Sequence, residues 1–371
     1  MFARSTISWL AVVLLLAGGP SIAADYRIST VAAGLEHPWS IAFLPGGDML
    51  VTERAGRLRL IEGGVLQPLP VGGVPEAYVR SQAGLFDVLL DPEYEKNGWL
   101  YLSFAHGTGR ANSTRVVRGR LRGQSLVDVE VLFTEQPTRN TPLHYGGRMA
   151  FLGDGTLVIG LGDGFDFREE AQRMDSHAGS IVRIRRDGGI PEDNPFVGRD
   201  NALPEIYSYG HRNVQGLVSD PRSGRLWAHE HGPRGGDELN LILPGRNYGW
   251  PVATFGVDYS GARITPYTSR PGMEDPLVDW TPSIAPSGMT LYLGEAFPAW
   301  DGDLLVTALV ARELRRIVLD GEEVVDQVSL LEEIGQRLRD VEVGPDGALY
   351  ILTDSPRGRV LRIAPPPAAS P

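Results

Sequence analysis

The stretch from residue 148 to residue 164 reads RMAFLGDGTLVIGLGDG. An apolar run of strand length is followed by a turn rich in glycine and aspartate, and then by a second apolar run, which is the pattern of a β-hairpin. Five further stretches repeat it: WSIAFLPGGDMLVTE from Trp39, LFDVLLDPEYEKNGWLYLSF from Leu85, NVQGLVSDPRSGRLWAHEHG from Asn213, GMTLYLGEAFPAWDGDLLVTAL from Gly288 and DVEVGPDGALYILTD from Asp340. Such a repeat is a better guide to the fold than chain length.

A third strand candidate follows each hairpin, and in most of them charged and apolar residues alternate as on a half-solvated strand. The six candidates are GRLRLIEG, TRVVRGRLRG, SIVRIRRDGG, ELNLILPG, ELRRIVLDG and GRVLRIAP. These units predict an all-β protein, a six-bladed β-propeller with four-stranded antiparallel blades and long inter-blade loops. A β-sandwich or two stacked β domains is the alternative. The longest insertions, residues 165–211 and 250–287, are expected to be loops on one face, and loops of that length are usually functional.

The two ends of the chain are predicted to lie outside the propeller, which we assign to residues 25–365. Residues 1–24, MFARSTISWLAVVLLLAGGPSIAA, combine an early cation, an apolar run and small residues, which is typical of a secretory signal peptide cleaved near Ala23 or Ala24. An uncleaved anchor is the alternative, but the apolar run is shorter than the ~20 residues that span a bilayer. Residues 366–371 are expected to form a Pro-rich tail. We therefore expect a periplasmic protein without stable membrane insertion.

Composition excludes several classes of function. The chain has 371 residues, of which 42% are hydrophobic, so that it can bury a large core. Its formal net charge of -11 argues against a nucleic-acid partner, since duplex-binding proteins are usually basic. The absence of cysteine excludes disulfides, thiolate metal sites, iron–sulfur clusters and cysteine nucleophiles.

A hydrogen-bonding or charged side chain stands at the start of the first strand of every unit. A propeller brings these starts together at one end of its axis, where apolar residues would suffice to fill a structural channel. The set comprises His37, Gln82, His144, Arg212 with Asn213, Ser283, and Arg337 with Arg339. Arginine forks suit carboxylates and phosphates, so the set predicts a site for a polyanionic small molecule. Taken singly, each residue also has a structural explanation, such as a strand-edge amide for Gln82.

His144 and Asp163 flank the same hairpin, so a contact between their side chains is expected. A carboxylate that accepts a hydrogen bond from one ring nitrogen fixes the tautomer and leaves the other nitrogen free to take a proton. The pair is therefore a candidate general base. Gly146 and Gly147 are expected to let a flat molecule approach the backbone, because glycine lacks Cβ.

Metal binding is predicted to involve calcium rather than zinc. His229 and His231 are two residues apart, which is not the i, i+4 spacing of a helical zinc motif. Oxygen ligands for a hard cation are available nearby: the carbonyls of Gly232 and Pro233, and the carboxylates of Asp237 and Glu238. The run GLGDGF is a very weak dinucleotide fingerprint because no βαβ unit surrounds it, and no GxSxG hydrolase motif is present.

Taken together, six stretches resemble the soluble, pyrroloquinoline-quinone-dependent glucose and aldose sugar dehydrogenases. They are HPWSIAFLPGGDMLVTERAGRLRLI, SQAGLFDVLLDPEY, HYGGRMAFLGDGTLVIGLGDG, YSYGHRNVQGL, HEHGPRGGDELNLILPGRNYGWP and RLRDVEVGPDGALYILTD. The resemblance runs from about Tyr26 to about Ile363. It implies a six-bladed propeller, in agreement with the repeat count above.

The resemblance also assigns roles to residues. His144 takes the place of the base that removes the anomeric hydroxyl proton while hydride leaves C1 for C5 of the quinone, and Asp163 that of the carboxylate beside it. The cofactor, pyrroloquinoline quinone (PQQ), is a flat ortho-quinone with three carboxylates, and the residues similar to those that hold it are Gln82, Arg212, Asn213, Arg337 and Arg339. The carbonyls of Gly232 and Pro233 look like ligands of a cofactor-bound Ca²⁺, and Glu238 and the backbone of Tyr248 like ligands of a second, structural Ca²⁺.

One position departs from the family pattern. Where the glucose enzymes have a lysine near the cofactor, this chain has Val310, which would leave a carboxylate or quinone oxygen to Arg312, Arg337 or water. Shorter insertions than in the glucose-specific enzymes favour a broad range of aldose substrates. The electron acceptor, the physiological sugar and the oligomeric state remain open. A calcium-dependent lactone hydrolase and a non-catalytic carbohydrate- or protein-binding propeller are the alternative functions.

Overall fold

The polypeptide forms six four-stranded antiparallel sheets in a computed structural model that describes residues 26–367. The strands, in chain order, are β1 (Arg27–Leu35), β2 (Pro38–Phe43), β3 (Met49–Glu53), β4 (Arg57–Glu62), β5 (Val65–Leu66), β6 (Leu85–Leu90), β7 (Trp99–Thr108), β8 (Ala111–Arg122), β9 (Ser125–Thr134), β10 (Gly146–Phe151), β11 (Leu157–Leu161), β12 (Ser180–Ile184), β13 (Ile206–Tyr209), β14 (Val214–Ser219), β15 (Leu226–Glu230), β16 (Asp237–Ile242), β17 (Val278–Trp280), β18 (Pro286–Leu291), β19 (Leu304–Ala308), β20 (Leu314–Asp320), β21 (Glu323–Leu330), β22 (Leu338–Val343), β23 (Leu349–Thr353) and β24 (Gly358–Ala364). Helical structure in the described part is restricted to α1 (Tyr94–Asn97) and 3₁₀ turns at Arg168–Gln172, Pro298–Trp300 and Glu332–Ile334.

The sheets are the blades of a propeller, as the repeat predicts. Their strand orders are β2-β3-β4-β5, β6-β7-β8-β9, β10-β11-β12-β13, β14-β15-β16-β17, β18-β19-β20-β21 and β22-β23-β24-β1. The first strand of each blade contacts the first strand of the next, and β22 contacts β2, so six inner strands surround one axis. The ring closes through β1, which pairs with β24 and completes the last blade with the start of the chain.

The core consists of six apolar layers, each between two consecutive blades. Between the second and third blades, for example, Tyr101 packs with Met149, Ile159 and Val182, all of them buried. The other five blade pairs have equivalent clusters. This arrangement explains the near-continuous apolar runs of the inner strands, because both faces of those strands are covered.

One expectation about loops is wrong. Residues 165–211 are not a single insertion, because β12 and β13 lie within them and form the outer half of the third blade. β12 pairs with β11 and β13 pairs with β12, which holds both strands in the sheet. The second predicted insertion, residues 250–287, contains no strand or helix as far as residue 277, but its last part includes β17 and the start of β18.

The terminal assignments stay predictions. The signal peptide predicted for residues 1–24 lies outside the described residues, and so does most of the tail predicted for residues 366–371. No helix within residues 26–367 is long and apolar enough to cross a membrane.

Candidate active site

The starts of the six inner strands share a local irregularity. In every blade the pairing of the first strand with the second shifts register near its start, at Pro38/Ser40 in the first blade and Gly146/Met149 in the third. The other four blades show the same shift. Bulges of this kind turn a strand and re-aim its side chains, and they are common beside active sites. Their repetition explains how polar residues of different blades converge on one end of the axis.

His144 and Asp163 form the expected pair. Nδ1 of His144 lies 2.7 Å from Oδ1 of Asp163, and both side chains are almost fully buried. Burial raises the pKa of Asp163, but the hydrogen bond and charge of His144 and the charge of Arg212 outweigh it, so that the pKa is lowered overall. An ionised carboxylate can only accept, so Nδ1 carries the proton and Nε2 keeps its lone pair. No described residue hydrogen-bonds Nε2.

Burial also sets the protonation of His144. Removal from water lowers the pKa of the imidazole below its usual value of 6.5, and the nearby charges of Arg212 and Arg139 act in the same direction. The hydrogen bond and charge of Asp163 oppose this change. The imidazole is therefore neutral near pH 7, which is the form that can accept a proton.

Two further groups hold Asp163 in place. The indole Nε1 of Trp250 donates to Oδ2 over 2.8 Å, and the backbone N–H of Phe165 donates to Oδ1 over 2.7 Å. Trp250 was missed by the sequence analysis, although it stands in the quoted stretch GRNYGWP. Because these two donors hold the Asp163 carboxylate in place, the carboxylate in turn fixes the orientation of the His144 ring.

A cavity of about 420 Å³ is lined by Tyr145 and Gly146, which directly follow His144 in the chain, although neither His144 nor Asp163 lines it. Four of the predicted residues line it, namely Gln82, Asn213, Arg337 and Arg339. Its walls also include Trp39, Phe86, Tyr145, Tyr259, Arg54, Asp354 and Val310. Flat aromatic walls with a few convergent amide and guanidinium groups are suited to a planar, anionic ligand. We refer to this cavity as the axial pocket.

Gln82 and Asn213 do more than line the axial pocket. Oε1 of Gln82 accepts the backbone N–H of His144 over 2.9 Å, and Oδ1 of Asn213 accepts the backbone N–H of Gly146 over 3.1 Å. The two amides thus fix the backbone on which His144 stands. His144 itself has a φ of 51°, an uncommon conformation for a residue other than glycine.

Gly146 and Gly147 have a structural explanation besides the role expected for them, and Gly146 also lines the axial pocket. A Cβ at Gly146 would lie 2.4 Å from the carbonyl oxygen of Gly160, and a Cβ at Gly147 would lie 2.7 Å from the ring of Phe86. Both positions need glycine because neighbouring parts of the chain occupy the space. A ligand is not required to explain them.

Arg337 and Arg339 share one carboxylate. Oδ2 of Asp354 accepts from Nε of Arg337 over 3.1 Å and from Nη2 of Arg339 over 3.3 Å, while Oδ1 lies 2.9 Å from Nδ1 of His37. Burial raises the pKa of Asp354, but Arg339, His37 and Arg337 together lower it well below the usual range. The carboxylate therefore stays charged and holds both guanidinium groups at the rim of the axial pocket. Sequence analysis missed Asp354.

Arg54 is a further cation in the axial pocket that sequence analysis missed. It lies partly buried after β3, and its guanidinium makes no hydrogen bond or ion pair to a described residue. Val310, at the position where the family pattern has lysine, has 60% of its surface exposed and lines the same pocket. Arg54 therefore supplies a positive charge to the axial pocket, which the apolar Val310 does not.

Arg212 is buried and lines neither the axial pocket nor the second cavity described below, although it contacts residues of both. Its Nη1 donates to the carbonyl oxygens of His231 at 2.9 Å and Gly232 at 2.6 Å, and its guanidinium lies 5.2 Å from the Trp250 ring centre. Its Nε is buried and has no partner among the described residues. A buried donor without an acceptor carries a cost in folding free energy.

The second cavity, of about 630 Å³, contains the predicted calcium ligands Gly232 and Pro233. Asp237 also lines it, but its carboxylate already accepts from Gly232 N–H, Ser283 Oγ–H and Ala285 N–H. Within residues 26–367, no three His, Asp or Glu side chains lie close enough to hold a metal by themselves. A calcium ion here would need carbonyl oxygens and oxygens of another ligand.

Glu238 and Tyr248 lie apart from both cavities. In the fourth blade Glu238 is paired across the strands with Glu230 on one side and Asp279 on the other. Burial and the charge of Glu230 raise the pKa of Glu238 well above its usual value. No described arginine or lysine forms an ion pair with Glu238, and the amide N–H of Asn240 donates a hydrogen bond to its carboxylate. Glu230 is already engaged by His211 and by the backbone N–H of Arg212, whereas Glu238 and Asp279 have no positively charged partner among the described residues.

Comparison with known proteins shows similarity to sugar dehydrogenases over most of the chain. A family model described as Glucose / Sorbosone dehydrogenase matches residues 35–362. An aldose sugar dehydrogenase from Escherichia coli is 40% identical over 348 residues, covering 92% of this chain and 94% of that protein. Quinoprotein glucose dehydrogenase B from Acinetobacter calcoaceticus is 26% identical over 424 residues, covering 89% and 86%.

Solved structures of aldose sugar dehydrogenases are similar to this fold. The apo form of the soluble aldose sugar dehydrogenase from Escherichia coli has a TM-score of 0.89 at 39% identity and covers 92% of this chain and 100% of that one. The PQQ-bound form of an aldose sugar dehydrogenase from Streptomyces coelicolor has a TM-score of 0.75 at 31% identity, covering 92% and 99%.

Proposed function

The chain belongs to the glucose/sorbosone dehydrogenase family, and we propose that it oxidises aldose sugars to lactones, with PQQ as hydride acceptor and His144 as general base. The observation that carries the proposal is the buried His144–Asp163 pair next to a pocket of arginine, amide and aromatic side chains. A relative whose structure contains PQQ supports the choice of cofactor.

The axial pocket fits the cofactor in charge, shape and size. Its volume of about 420 Å³ is that of an ordinary small-molecule site, and its aromatic walls suit a flat ring system. The groups that would hold the three carboxylates and the polar edge of the ring are Arg54, Arg212, Arg337, Arg339, Gln82 and Asn213. The guanidinium of Arg54, which has no ion-pair partner among the described residues and lines the pocket, supports this assignment, because a carboxylate would satisfy it.

The chemistry of the chain's own residues follows from the tautomer. When bound, PQQ supplies a two-electron acceptor. Nε2 of His144 takes the proton of the anomeric hydroxyl as the hydrogen on C1 departs with its electron pair, and the C1–O bond becomes the lactone carbonyl. Asp163 holds the ring in place and stabilises the imidazolium that forms. General-base assistance of this kind typically contributes about 10²–10⁴ in rate.

We propose Ca²⁺ at two places. The carbonyls of Gly232 and Pro233 would share one ion with the cofactor, where a Lewis acid polarises the quinone. The fit is partial, since the Gly232 carbonyl already accepts from Arg212. Glu238 and the backbone of Tyr248 would hold a structural ion, and the lack of a positively charged partner for Glu238 among the described residues supports that site.

The proposed location is the periplasm. The pattern of residues 1–24 supports export, and the absence of cysteine is compatible with an oxidising compartment. An electron acceptor must reoxidise the cofactor after each turnover.

Reconstitution tests the proposal against its two alternatives. We expect dye-linked oxidation of aldoses only when both PQQ and Ca²⁺ are added, and its loss after chelation. A lactone hydrolase would work without the quinone, and a binding propeller would take up sugar without reducing the cofactor. His144→Ala should lower turnover by about 10²–10⁴ and leave PQQ affinity, measured by equilibrium titration, unchanged. Equal loss of PQQ binding would make His144 structural.

A further inference from the structure

A cavity of about 390 Å³ lies at the end of the propeller axis opposite to the axial pocket. It is lined where the inner strands finish, by Phe43 of β2, Leu90 of β6, Phe151 of β10, Ser219 of β14 and Val343 of β22. The axial pocket is lined where the same strands begin, and the two cavities share no lining residue. We refer to this third space as the distal cavity. None of the roles proposed above for cofactor, metal or sugar uses it.

Arg148 separates the distal cavity from the axial pocket. Its guanidinium lies 4.3 Å from the ring centre of Trp39, which lines the axial pocket. Arg148 itself lines the distal cavity, and its Nη1 lies 3.3 Å from Oδ1 of Asp87 and 3.1 Å from Oδ1 of Asp340. Its Nε donates to the carbonyl oxygen of Gln215 over 3.1 Å. Because these contacts tie Arg148 to four other blades, the buried guanidinium forms a fixed partition between the two cavities.

Glu342 leaves the distal cavity with an excess of negative charge. Asp87, Asp340 and Glu342 line the cavity, and Arg148 is the only cation among the described residues that line it. Arg148 is shared between the two aspartates, and Glu342 has no ion-pair partner within residues 26–367. Burial, and then the charge of Asp340, raises the pKa of Glu342 to about 8. An ionised Glu342 would therefore be stabilised by a cation that the chain itself does not supply.

The residues around Glu342 favour an organic cation over a metal ion. In the described part of the chain, no three His, Asp or Glu side chains lie close enough to hold a metal. Phe43, Leu90, Phe151 and Val343 are apolar, partly exposed and placed at the rim of the cavity. A carboxylate beside an apolar rim matches a cation with N–H donors on an apolar body. The donors form charge-assisted hydrogen bonds, while the body removes the apolar rim from water.

The distal cavity can be reached from the surface. A groove of about 960 Å³ crosses the same face of the propeller, and the apolar residues of the rim other than Phe151 line both the groove and the cavity. Lys96 in the groove is paired with Glu93 at 3.0 Å. Glu95 and Glu295, in contrast, are exposed in the groove and have no ion-pair partner among the described residues. The entrance therefore attracts cations as well.

We propose that the distal cavity binds a small organic cation that carries N–H donors on an apolar body, with Glu342 as its counter-ion. The ligand enters through the groove, its cationic group pairs with the Glu342 carboxylate, and its apolar part lies against the rim. Binding neutralises a charge that is otherwise uncompensated, so the ligand also stabilises the folded protein. The site goes beyond the proposed oxidation of sugars, no step of which uses this cavity.

Calorimetric titration of the full-length protein with benzamidine tests the site, with benzamide as an uncharged probe of the same shape. At pH 8 we expect benzamidine to bind with a dissociation constant on the order of 1 mM or tighter, and benzamide to bind at least tenfold more weakly. From pH 7 to pH 8 the affinity for benzamidine should rise about fivefold, because the ionised fraction of Glu342 rises while benzamidine stays charged. The other charged groups that face Glu342 are Asp340, Asp87 and Arg148. Burial raises the pKa of Asp340 only to about 6, so Asp340 is already ionised in this range.

One substitution assigns the binding to Glu342. Glu342→Gln should weaken benzamidine binding at pH 8 about tenfold or more and remove its dependence on pH, since the counter-charge is lost. Glu295→Gln is the matched control, because Glu295 is exposed on the same face and does not line the distal cavity. It should bind benzamidine as the wild type does. Benzamidine should also raise the thermal unfolding midpoint of the wild type but not that of Glu342→Gln.

Loading with PQQ and Ca²⁺ distinguishes the distal cavity from the axial pocket. Because Arg148 separates the two, the loaded protein should bind benzamidine with unchanged affinity. The proposal would be overturned by equal affinities of the wild type and Glu342→Gln, by equal affinities for benzamidine and benzamide, or by loss of benzamidine binding on loading. These titrations require no sugar turnover, so they decide the site whether or not the proposed oxidation is found.

Discussion

Asp163→Asn separates the charge of Asp163 from its hydrogen bonds. Asparagine keeps the shape of the side chain but has one acceptor oxygen instead of two. Turned toward His144, that oxygen satisfies the imidazole Nδ1–H and the Phe165 N–H, whereas turned toward Trp250 it satisfies one indole N–H. We therefore expect the amide NH₂ to face Trp250, so that the tautomer of His144 is preserved and only the negative charge is lost.

The lost charge sets the size of the effect on catalysis. Two unit charges about 4 Å apart interact by about 4 kcal/mol at an effective dielectric constant near 20, and part of this stabilises the imidazolium that forms during proton transfer. We expect turnover to fall about 10²- to 10³-fold, equivalent to about 3–4 kcal/mol. Because Asp163 raises the pKa of His144 against burial, its neutralisation should move the acid limb of the pH–rate profile to lower pH.

A second substitution, Trp250→Phe, separates the effect of Asp163→Asn on folding stability from its effect on turnover. In Asp163→Asn the indole N–H of Trp250 faces another donor, and a buried unpaired N–H costs about 1–3 kcal/mol of folding free energy. Adding Trp250→Phe removes that donor, so the double variant should regain stability in urea denaturation but not turnover. Asp166→Asn, an exposed neighbour, is the matched control. Recovered turnover in the double variant, or an acid limb that moves to higher pH, would refute the reasoning.

Two further predictions concern charges at the two ends of the axis. Arg54→Ala should weaken PQQ binding in equilibrium titrations about tenfold or more, because an unpaired guanidinium is lost from the axial pocket. The control is Arg222→Ala, at an exposed position, which should leave PQQ affinity unchanged. Equal PQQ affinities of the two variants would show that Arg54 does not bind the cofactor. Burial, and then the charge of Asp340, raises the pKa of Glu342 to about 8, so its ionisation opposes folding as pH rises from about 4.5 towards 8. Glu342→Gln should therefore be about 1–3 kcal/mol more stable than the wild type at pH 9 and equal to it at pH 4, and an equal difference at both pH values would contradict this.

The propeller could be predicted because its hairpins are local. Each inner hairpin joins two strands that are close in the chain, so composition and periodicity within about twenty residues identify it. The pairing of β1 with β24 joins residues more than 300 positions apart and has no local signal. The shifts at the starts of the inner strands were not foreseen either, because a bulge is defined by the partner strand and not by its own residues.

The candidate site was predictable to the extent that its residues repeat from blade to blade. His144, Gln82 and Asn213 stand at equivalent strand starts, so the symmetry of the fold indicated them. Trp250 and Tyr259 come from residues 250–277, which have no regular secondary structure, and only tertiary contacts bring them to Asp163 and Phe165. Loop residues of this kind cannot be placed from periodicity.

The pairing of β1 with β24 also places the two ends of the propeller side by side, since Arg27 lies opposite Ala364 and Leu35 opposite Gly358. A linker could join these ends, and the chain could be cut instead at an exposed turn such as Asp187–Gly188, between two outer strands of the third blade. Such a circular permutant keeps every blade and every residue of the site. Its last blade would be one continuous stretch of chain, so it would form as a local meander rather than by docking of a distant strand.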